Sequence, residues 1–124
     1  MSKNKKFWAV WEAVQEYCDL KEEHKTRLML REMLQALELF SRKQNDYSSV
    51  NIAVCGEHGV WVRVTDKWAR LMSHYRLQRP MVNESIEDTW RDLAVYALIA
   101  LLVRKGEWNL RPEEAEVLCP QSQP

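Results

Sequence analysis

The chain of 124 residues has few of the residues that interrupt helices, with only three Gly and four Pro. It contains neither a GxxxxGKS/T nor a GxGxxG motif, so P-loop and Rossmann dinucleotide chemistry are not expected. Its three Cys are widely spaced and form no CxxC or zinc-like pattern with the three His, which predicts reduced thiols in a cytoplasmic protein. The 18 basic and 18 acidic residues cancel, so no overall field favours nucleic acid as a partner.

Long apolar segments are missing as well. The longest run, Leu93 to Val103, is too short to cross a bilayer, which requires about 20 residues. The first fourteen residues lack the apolar stretch and the small-residue cleavage site of an export signal. We therefore expect no membrane partner. The length predicts one helical domain over residues 1–110 and a loosely ordered tail over 111–124.

Apolar residues recur at the three- and four-residue spacing of amphipathic helices through most of the chain. The spacing predicts helices over about residues 6–19, 21–42, 61–77 and 83–105, the last with Asn83 as its N-cap. The polar, glycine-containing segment 44–60 predicts an ordered loop between the second and third helices. The expected fold is an all-α, four-helix domain. The third helix is expected to bury the face formed by Val64, Trp68, Leu71, Met72 and Tyr75.

The fourth predicted helix combines acidic residues with a long apolar run. Glu84, Asp88 and Asp92 are spaced by four residues, so they form one stripe that drifts only about 80° around the helix. The first two acids suit a helix N-terminus, whereas Asp92 lies beyond the reach of the helix dipole. From Leu93 onward the helix is apolar all round, which is typical of a buried central helix. A carboxylate at the edge of a core requires a positive partner.

Two kinds of cation fit these acids. The first is the charged face of the third helix, where Arg63, Lys67 and Arg70 surround Asp66 and would form a structural ion-pair network. The second is Mg²⁺, which prefers carboxylate oxygens and usually also binds substrate phosphates. The two are compatible, because the acids would hold the metal while the basic side chains hold a phosphate. The sequence by itself does not decide between the basic side chains of the third helix and Mg²⁺ as the partner of these acids.

Several short motifs follow one another within residues 40–104. They are Lys43-x-x-Asp46-Tyr47, a glycine-containing loop, Arg63-x-x-Asp66-Lys67-x-x-Arg70, then Glu84, Asp88-Thr89 and Asp92-Leu93-Ala94-x-Tyr96-Ala97. In this order the motifs resemble the nucleotide-modification-associated domain of type 1, a small helical family found largely in bacteriophages and bacteria. The resemblance implies a nucleotide or a modified nucleotide as the ligand and a role in nucleotide modification.

The last helix is also similar to the acid-bearing helix of the MazG-like all-α nucleoside triphosphate pyrophosphatases. In that helix an Asp precedes an apolar stretch with an aromatic residue four positions on, as Asp92 precedes Tyr96 here. The similarity implies that Glu84, Asp88 and Asp92 bind Mg²⁺, and that Asp88 and Asp92 are catalytic. The chain departs from the motif at Thr89, where the superfamily has Glu, and it lacks the earlier EExxE.

The combined expectation is a nucleotide-binding helical protein with the activity of a Mg²⁺-dependent nucleoside triphosphate pyrophosphohydrolase. The alternative is a non-catalytic nucleotide-binding or protein-interaction module whose charged stripes pair only with each other. Leu28 and Leu39, on the polar side of the second helix, and the Trp-rich first helix predict a homodimer. The residues expected to bind the substrate are Lys43, Asp46, Tyr47, Arg63, Asp66, Lys67 and Arg70.

Overall fold

The computed structural model of the chain describes residues 1–46, 50–109, 112–113 and 116, without the side chains of residues 45, 46 and 51. The helices are α1 (Lys3–Tyr17), α2 (His24–Asp46), α3 (Val50–Arg76) and α4 (Ile86–Arg104). No strand occurs among the described residues, and the predicted all-α, four-helix fold is confirmed. Within the same residues, no helix combines the length and the apolar character that a membrane span requires.

Capping side chains explain where several helices begin and end. Ser2 caps α1 and Ser85 caps α4, each accepting a backbone N–H from three residues further on. The predicted cap at Asn83 was therefore two residues too early. In front of α2, the Glu22 carboxylate accepts backbone N–H groups of the first turn, and these hydrogen bonds lower its pKa. Helix α4 ends at Arg104, and Gly106, two residues later, has a φ of 69° that favours a residue without Cβ.

The prediction of an ordered loop over 44–60 is wrong for most of that segment. Helix α2 continues to Asp46, and α3 already begins at Val50. The helical backbone of α3 is broken only at Gly56, where φ is 60° and ψ is −147°, a conformation open to glycine alone. Burial explains the difference, because Ile52 lies in the core of the hairpin described below and outweighs the loop preference of its polar neighbours. Residues 47–49 lie outside the described residues.

The helices belong to two compact units, Met1–Leu39 and Phe40–Pro124. In the first unit Trp11 is buried, and the guanidinium groups of Arg27 and Arg31 lie over aromatic rings of α1. The second unit contains the predicted site. The prediction of one domain with a short tail is not tested by this division and stays a prediction.

The second unit is built on a helical hairpin of α3 and α4. These helices are antiparallel, since Glu57 pairs with Arg104 at one end of the hairpin and Tyr75 with Trp90 at the other. The buried centre of the unit consists of residues from both helices. It contains Ile52, Val60 and Ile99, with Phe40, Val95, Tyr96, Ala100, Val103 and Trp108 packed against them.

Two helix faces that were predicted to be buried are only partly covered. On α3, Leu71 is buried as expected, but Trp68 and Tyr75 are 55% and 57% exposed. Helix α4, expected to be buried on all sides, buries Ile99 and leaves Leu98 54% exposed. The reason is that each helix of the hairpin covers one side of the other. Their outer sides face away from this contact.

Candidate functional site

The ammonium group of Lys67 lies at the centre of the predicted site. Its Nζ is 2.8 Å from a carboxylate oxygen of Glu84 and 2.9 Å from one of Asp92. All three side chains are largely buried, with 13%, 16% and 15% of their surface exposed. Lys67 therefore supplies the positive charge that Asp92 was predicted to need at the edge of the core.

Two further cations extend this arrangement on both sides. Lys43, near the end of α2, donates to the second oxygen of Asp92 at 3.3 Å. Arg70 donates to the Glu84 oxygen that Lys67 contacts, also at 3.3 Å. These five residues, Lys43, Asp92, Lys67, Glu84 and Arg70, are the ion-pair network. With three cations and two carboxylates its formal charge is +1, so the acids within it are fully neutralised.

Thr89 holds the Glu84 side chain from within α4. It is completely buried, and its hydroxyl lies within hydrogen-bond distance of the Glu84 carboxylate and of the Ser85 carbonyl. Glu84 precedes the first residue of α4, so it reaches the network from the turn. The sequence reasoning missed Thr89 as a site residue. The sequence did single out this position, because Thr89 stands where the MazG-like motif has Glu. In this chain the Thr89 hydroxyl is a hydrogen-bond partner of the Glu84 carboxylate, whereas Glu would add a further negative charge.

The network shifts the pKa values of two of its members in opposite directions. Burial by itself lowers the pKa of Lys67, but the hydrogen bonds and charges of Asp92 and Glu84 outweigh it and raise the pKa. Burial raises the pKa of Glu84, but hydrogen bonds from Lys67 and Thr89 and the positive charges of Lys67 and Arg70 outweigh it and lower the pKa. Both shifts favour the charged forms, so the ion pairs persist through neutral pH.

These shifts predict a plateau of stability between two pH limits. The pKa of Glu84 is lowered by folding, so its contribution is complete above its ordinary value of 4.5 and is lost as the pH falls through the folded pKa. The pKa of Lys67 is raised, so its contribution is complete below 10.5 and is lost as the pH rises through the folded pKa. Urea denaturation at a series of pH values measures both limits.

The loss of stability at low pH is tested with Glu84→Gln, and the exposed acid Glu87 provides the matched control. Glu84→Gln is expected to flatten the fall in stability at low pH, because the group that titrates has been removed. Glu87→Gln changes an exposed side chain in the first turn of α4, outside the network, and is expected to leave that fall in place. An acidic limit that is the same in the wild type and in Glu84→Gln would show that Glu84 is not its source.

Several predicted site residues lie outside the network. Asp88 is exposed and pairs with Arg91 at 3.2 Å, which suits an acid in the first turn of α4. Arg63 and Asp66 make no ion pair with any residue that the structure describes, so they lie outside the network, and their role in substrate binding stays a prediction. The side chain of Asp46 and the whole of Tyr47 lie outside the described residues.

The three predicted metal ligands, as arranged, do not fit a resident divalent cation. Glu84 and Asp92 contact the ammonium of Lys67, and Asp88 pairs with Arg91. In the described ranges, no group of three or more His, Cys, Asp or Glu side chains could hold a metal ion. A Mg²⁺ ion between Glu84 and Asp92 would have to displace Lys67, whose charge already occupies that position.

A cavity of about 160 Å³ lies beside the network, between the end of α3 and the start of α4. The turn that shapes it contains Gln78, whose φ of 54° reverses the chain after α3. The backbone N–H of Arg79 then donates to the Ser73 carbonyl at 3.2 Å, which holds the turn against the end of the helix. The cavity is lined by Arg70, Ser73, His74, Arg79, Pro80, Met81, Val82, Asn83 and Glu84.

Several polar groups of the lining residues have no partner among the residues that the structure describes. Nδ1 of His74 is buried and has no hydrogen-bond partner in the described part of the chain. The Arg79 side chain is exposed and makes no ion pair with a described residue. Arg70 uses one guanidinium nitrogen on Glu84, which leaves other N–H donors of the group available. The sequence reasoning missed Arg79, because a residue in an irregular turn belongs to no periodic pattern.

Comparison with known proteins identifies no relative of the chain. No family model matches the chain, and neither a curated protein nor a solved structure is significantly similar to it. The resemblance to the nucleotide-modification-associated domain therefore stays an expectation. The features of the chain that bear on its function are the ion-pair network and the cavity next to it.

Proposed function

We propose that the protein binds a nucleotide through its phosphates at the cavity beside the ion-pair network, and that the network itself is structural. The observation that supports this most strongly is the lining of the cavity, which includes two arginines, Arg70 and Arg79. Phosphate oxygens are the acceptors that such donors bind best. The proposal corresponds to the non-catalytic alternative from the sequence.

The charge of the surroundings supports an anion at this position. Glu84 is the one acid in the lining, and Lys67 and Arg70 already neutralise its carboxylate. Arg79 adds a further positive charge, so the lining with its two arginines and one glutamate has a formal charge of +1. Its volume of about 160 Å³ is well below the roughly 300–1,000 Å³ of pockets that enclose a whole small molecule. The cavity therefore suits the phosphate end of a nucleotide, with the base and sugar outside it.

Calorimetry with inorganic pyrophosphate and a panel of common and modified nucleoside triphosphates tests this binding. Arg79→Met is expected to weaken binding at least about tenfold, because a charge-assisted hydrogen bond is lost. Arg76→Met is the matched control, since Arg76 is exposed at the end of α3 and does not line the cavity. It should change the affinity less than about twofold. A chain that binds no member of the panel would refute the proposed function.

Turnover separates this proposal from the predicted hydrolase. We expect each nucleotide to be recovered unchanged after incubation with Mg²⁺ or Mn²⁺, with the products analysed by mass spectrometry. Release of pyrophosphate that is abolished by Asp92→Asn, while the helical content is retained, would instead support the pyrophosphohydrolase. In that case the metal would have to replace Lys67 between the two carboxylates.

Other sequence-based expectations stay predictions. A cytoplasmic location and the lack of a nucleic-acid partner depend on composition alone. The predicted homodimer was based on Leu28, Leu39 and α1. Leu28 is 49% exposed, so it is available for a contact, but nothing about α1 and α2 specifies a second copy as the partner.

A further inference from the structure

One side of the α3–α4 hairpin is apolar and uncovered. On α3, three aromatic residues recur at intervals of seven, a spacing that drifts only about 20° per step. On α4, three large apolar residues fall within about 80° of arc. All six side chains are between 50% and 61% exposed. They form the outer apolar face, which consists of Trp61, Trp68, Tyr75, Trp90, Leu98 and Leu101.

The two stripes meet at the turn end of the hairpin. Trp90 donates from its indole nitrogen to the Tyr75 hydroxyl at 3.2 Å, which joins the stripes at the turn end of the hairpin. At the opposite end, Arg104 pairs with Glu57 at 2.9 Å and keeps the two helices together. Because the helices are antiparallel and pack against each other, both stripes extend from the turn end along the length of the hairpin.

The sequence of α4 indicates that another surface packs against the outer apolar face. A helix that is apolar all round is typically buried on every side, yet α4 exposes Leu98 and Leu101 by about half. Half-exposed aromatic and leucine side chains each present roughly 100 Å², so the six residues present roughly 600 Å² together. The largest apolar patch on a typical monomer is about 300–600 Å², so this face lies at the upper end of that range.

We propose that the outer apolar face binds the same face of a second copy of this chain in a twofold dimer. Each partner in a stable interface of standard size contributes about 800 Å², of which these six residues would supply most. A twofold contact brings equivalent residues of the two copies together, and none of the six side chains carries a charge. The chain has a formal net charge of zero, so two copies do not repel each other at neutral pH.

This inference is independent of the proposed nucleotide site. It also assigns the dimer to a different surface from the one that the sequence suggested, since α1 and α2 contribute none of the six residues. Trp68 follows Lys67 in the chain, but Lys67 points to the carboxylates of the network whereas Trp68 belongs to the outer side of α3. The network and the dimer face can therefore be altered separately.

Sedimentation equilibrium of the full chain tests the dimer, and we expect the dimer mass at tens of micromolar. Trp68→Lys is expected to raise the dissociation constant several hundredfold, because a central aromatic residue changes affinity roughly thirtyfold and a twofold contact loses it twice. Met29→Lys is the matched control, since Met29 is 61% exposed on α2 and undergoes the same change of charge. Its dimer is expected to be as tight as that of the wild type.

Oxidative footprinting of the wild-type chain provides a second measurement that requires no variant. Dimerisation is expected to protect Trp61, Trp68 and Trp90 from hydroxyl radicals, while Trp8, which is 41% exposed on α1, reacts equally in monomer and dimer. A wild type that is monomeric at high concentration would overturn the proposal, because the face would then be covered by another part of the chain or by a different protein. Dimers in which Trp68 reacts as fast as in the diluted chain would overturn it as well.

Discussion

Replacing Lys67 by Met is expected to lower the free energy of unfolding by about 3 kcal/mol. The substitution keeps the apolar stem but leaves Glu84 and Asp92 facing each other without their shared cation. Both carboxylates are about 15% exposed, so water replaces the lost ammonium poorly. Urea denaturation followed by circular dichroism measures the loss. Since a domain of this size is stable by only about 5–15 kcal/mol, the variant should unfold at a clearly lower urea concentration.

Lys43 provides the matched comparison within the same network. It contacts Asp92 at 3.3 Å, but its side chain is 49% exposed. A solvent-exposed ion pair contributes about 0–1 kcal/mol, so Lys43→Met is expected to cost less than about 1 kcal/mol. Equal losses for the two lysine variants would mean that burial of Lys67 between the helices has no energetic consequence.

Removing the negative charges should rescue the Lys67 variant. In a chain that already carries Glu84→Gln and Asp92→Asn, no unpaired charge remains for Lys67→Met to expose. The same substitution is then expected to cost much less than in the wild type, which makes the effects of the three changes strongly non-additive. Additive losses would place Lys67 outside the interaction that its distances indicate.

Replacing Thr89 by Val is expected to lower the free energy of unfolding by about 2 kcal/mol. The two side chains have nearly the same shape, so the loss comes from the hydroxyl rather than from packing. Thr89 is completely buried, and its hydroxyl is a hydrogen-bond partner of the charged Glu84 carboxylate. Without it, a carboxylate oxygen is left in a largely buried position with fewer donors. Thermal and urea denaturation both measure this change.

Thr65 is the control for the chemistry of the substitution. Its hydroxyl also makes a hydrogen bond, to the Val62 carbonyl at 2.6 Å, but the residue is exposed on α3. Water can take over that bond, so Thr65→Val is expected to cost less than about 0.5 kcal/mol. If Thr89→Val were equally mild, Thr89 would have no part in holding Glu84.

Much of the arrangement could be predicted from helical periodicity and charge. The position of Asp92 ahead of an apolar run predicted a positively charged partner, and the basic face of the third helix, one of the two candidates, supplies it through Lys67. Periodicity also gave the number of helices, because amphipathic segments must bury one side. It failed at Gly56 and its neighbours, where loop-forming residues lie within a helix that is held by the burial of Ile52 and Val60.

The remaining features depend on contacts that one sequence does not display. Glu84 and Asp88 have the spacing of one helical stripe, but they have different partners. Glu84 lies before the start of α4 and pairs with Lys67, whereas Asp88 lies on α4 and pairs with Arg91. Spacing alone could not show this separation, because it requires the position at which α4 begins. Similarly, Trp68 has the spacing of a core residue, and only the packing of α3 against α4 shows that it lies on the outer side.

Nuclear magnetic resonance of the ¹⁵N-labelled Nζ group of Lys67 measures most directly whether the ammonium lies between the two carboxylates. We predict a resolved ammonium signal at neutral pH that exchanges slowly with water and shows coupling to the carboxyl carbons of Glu84 and Asp92. Millimolar Mg²⁺ should leave the signal and both carboxyl resonances unchanged. A signal that is lost to exchange on addition of Mg²⁺, together with shifts of the two carboxyl carbons, would contradict the account and show that the carboxylates prefer the metal ion.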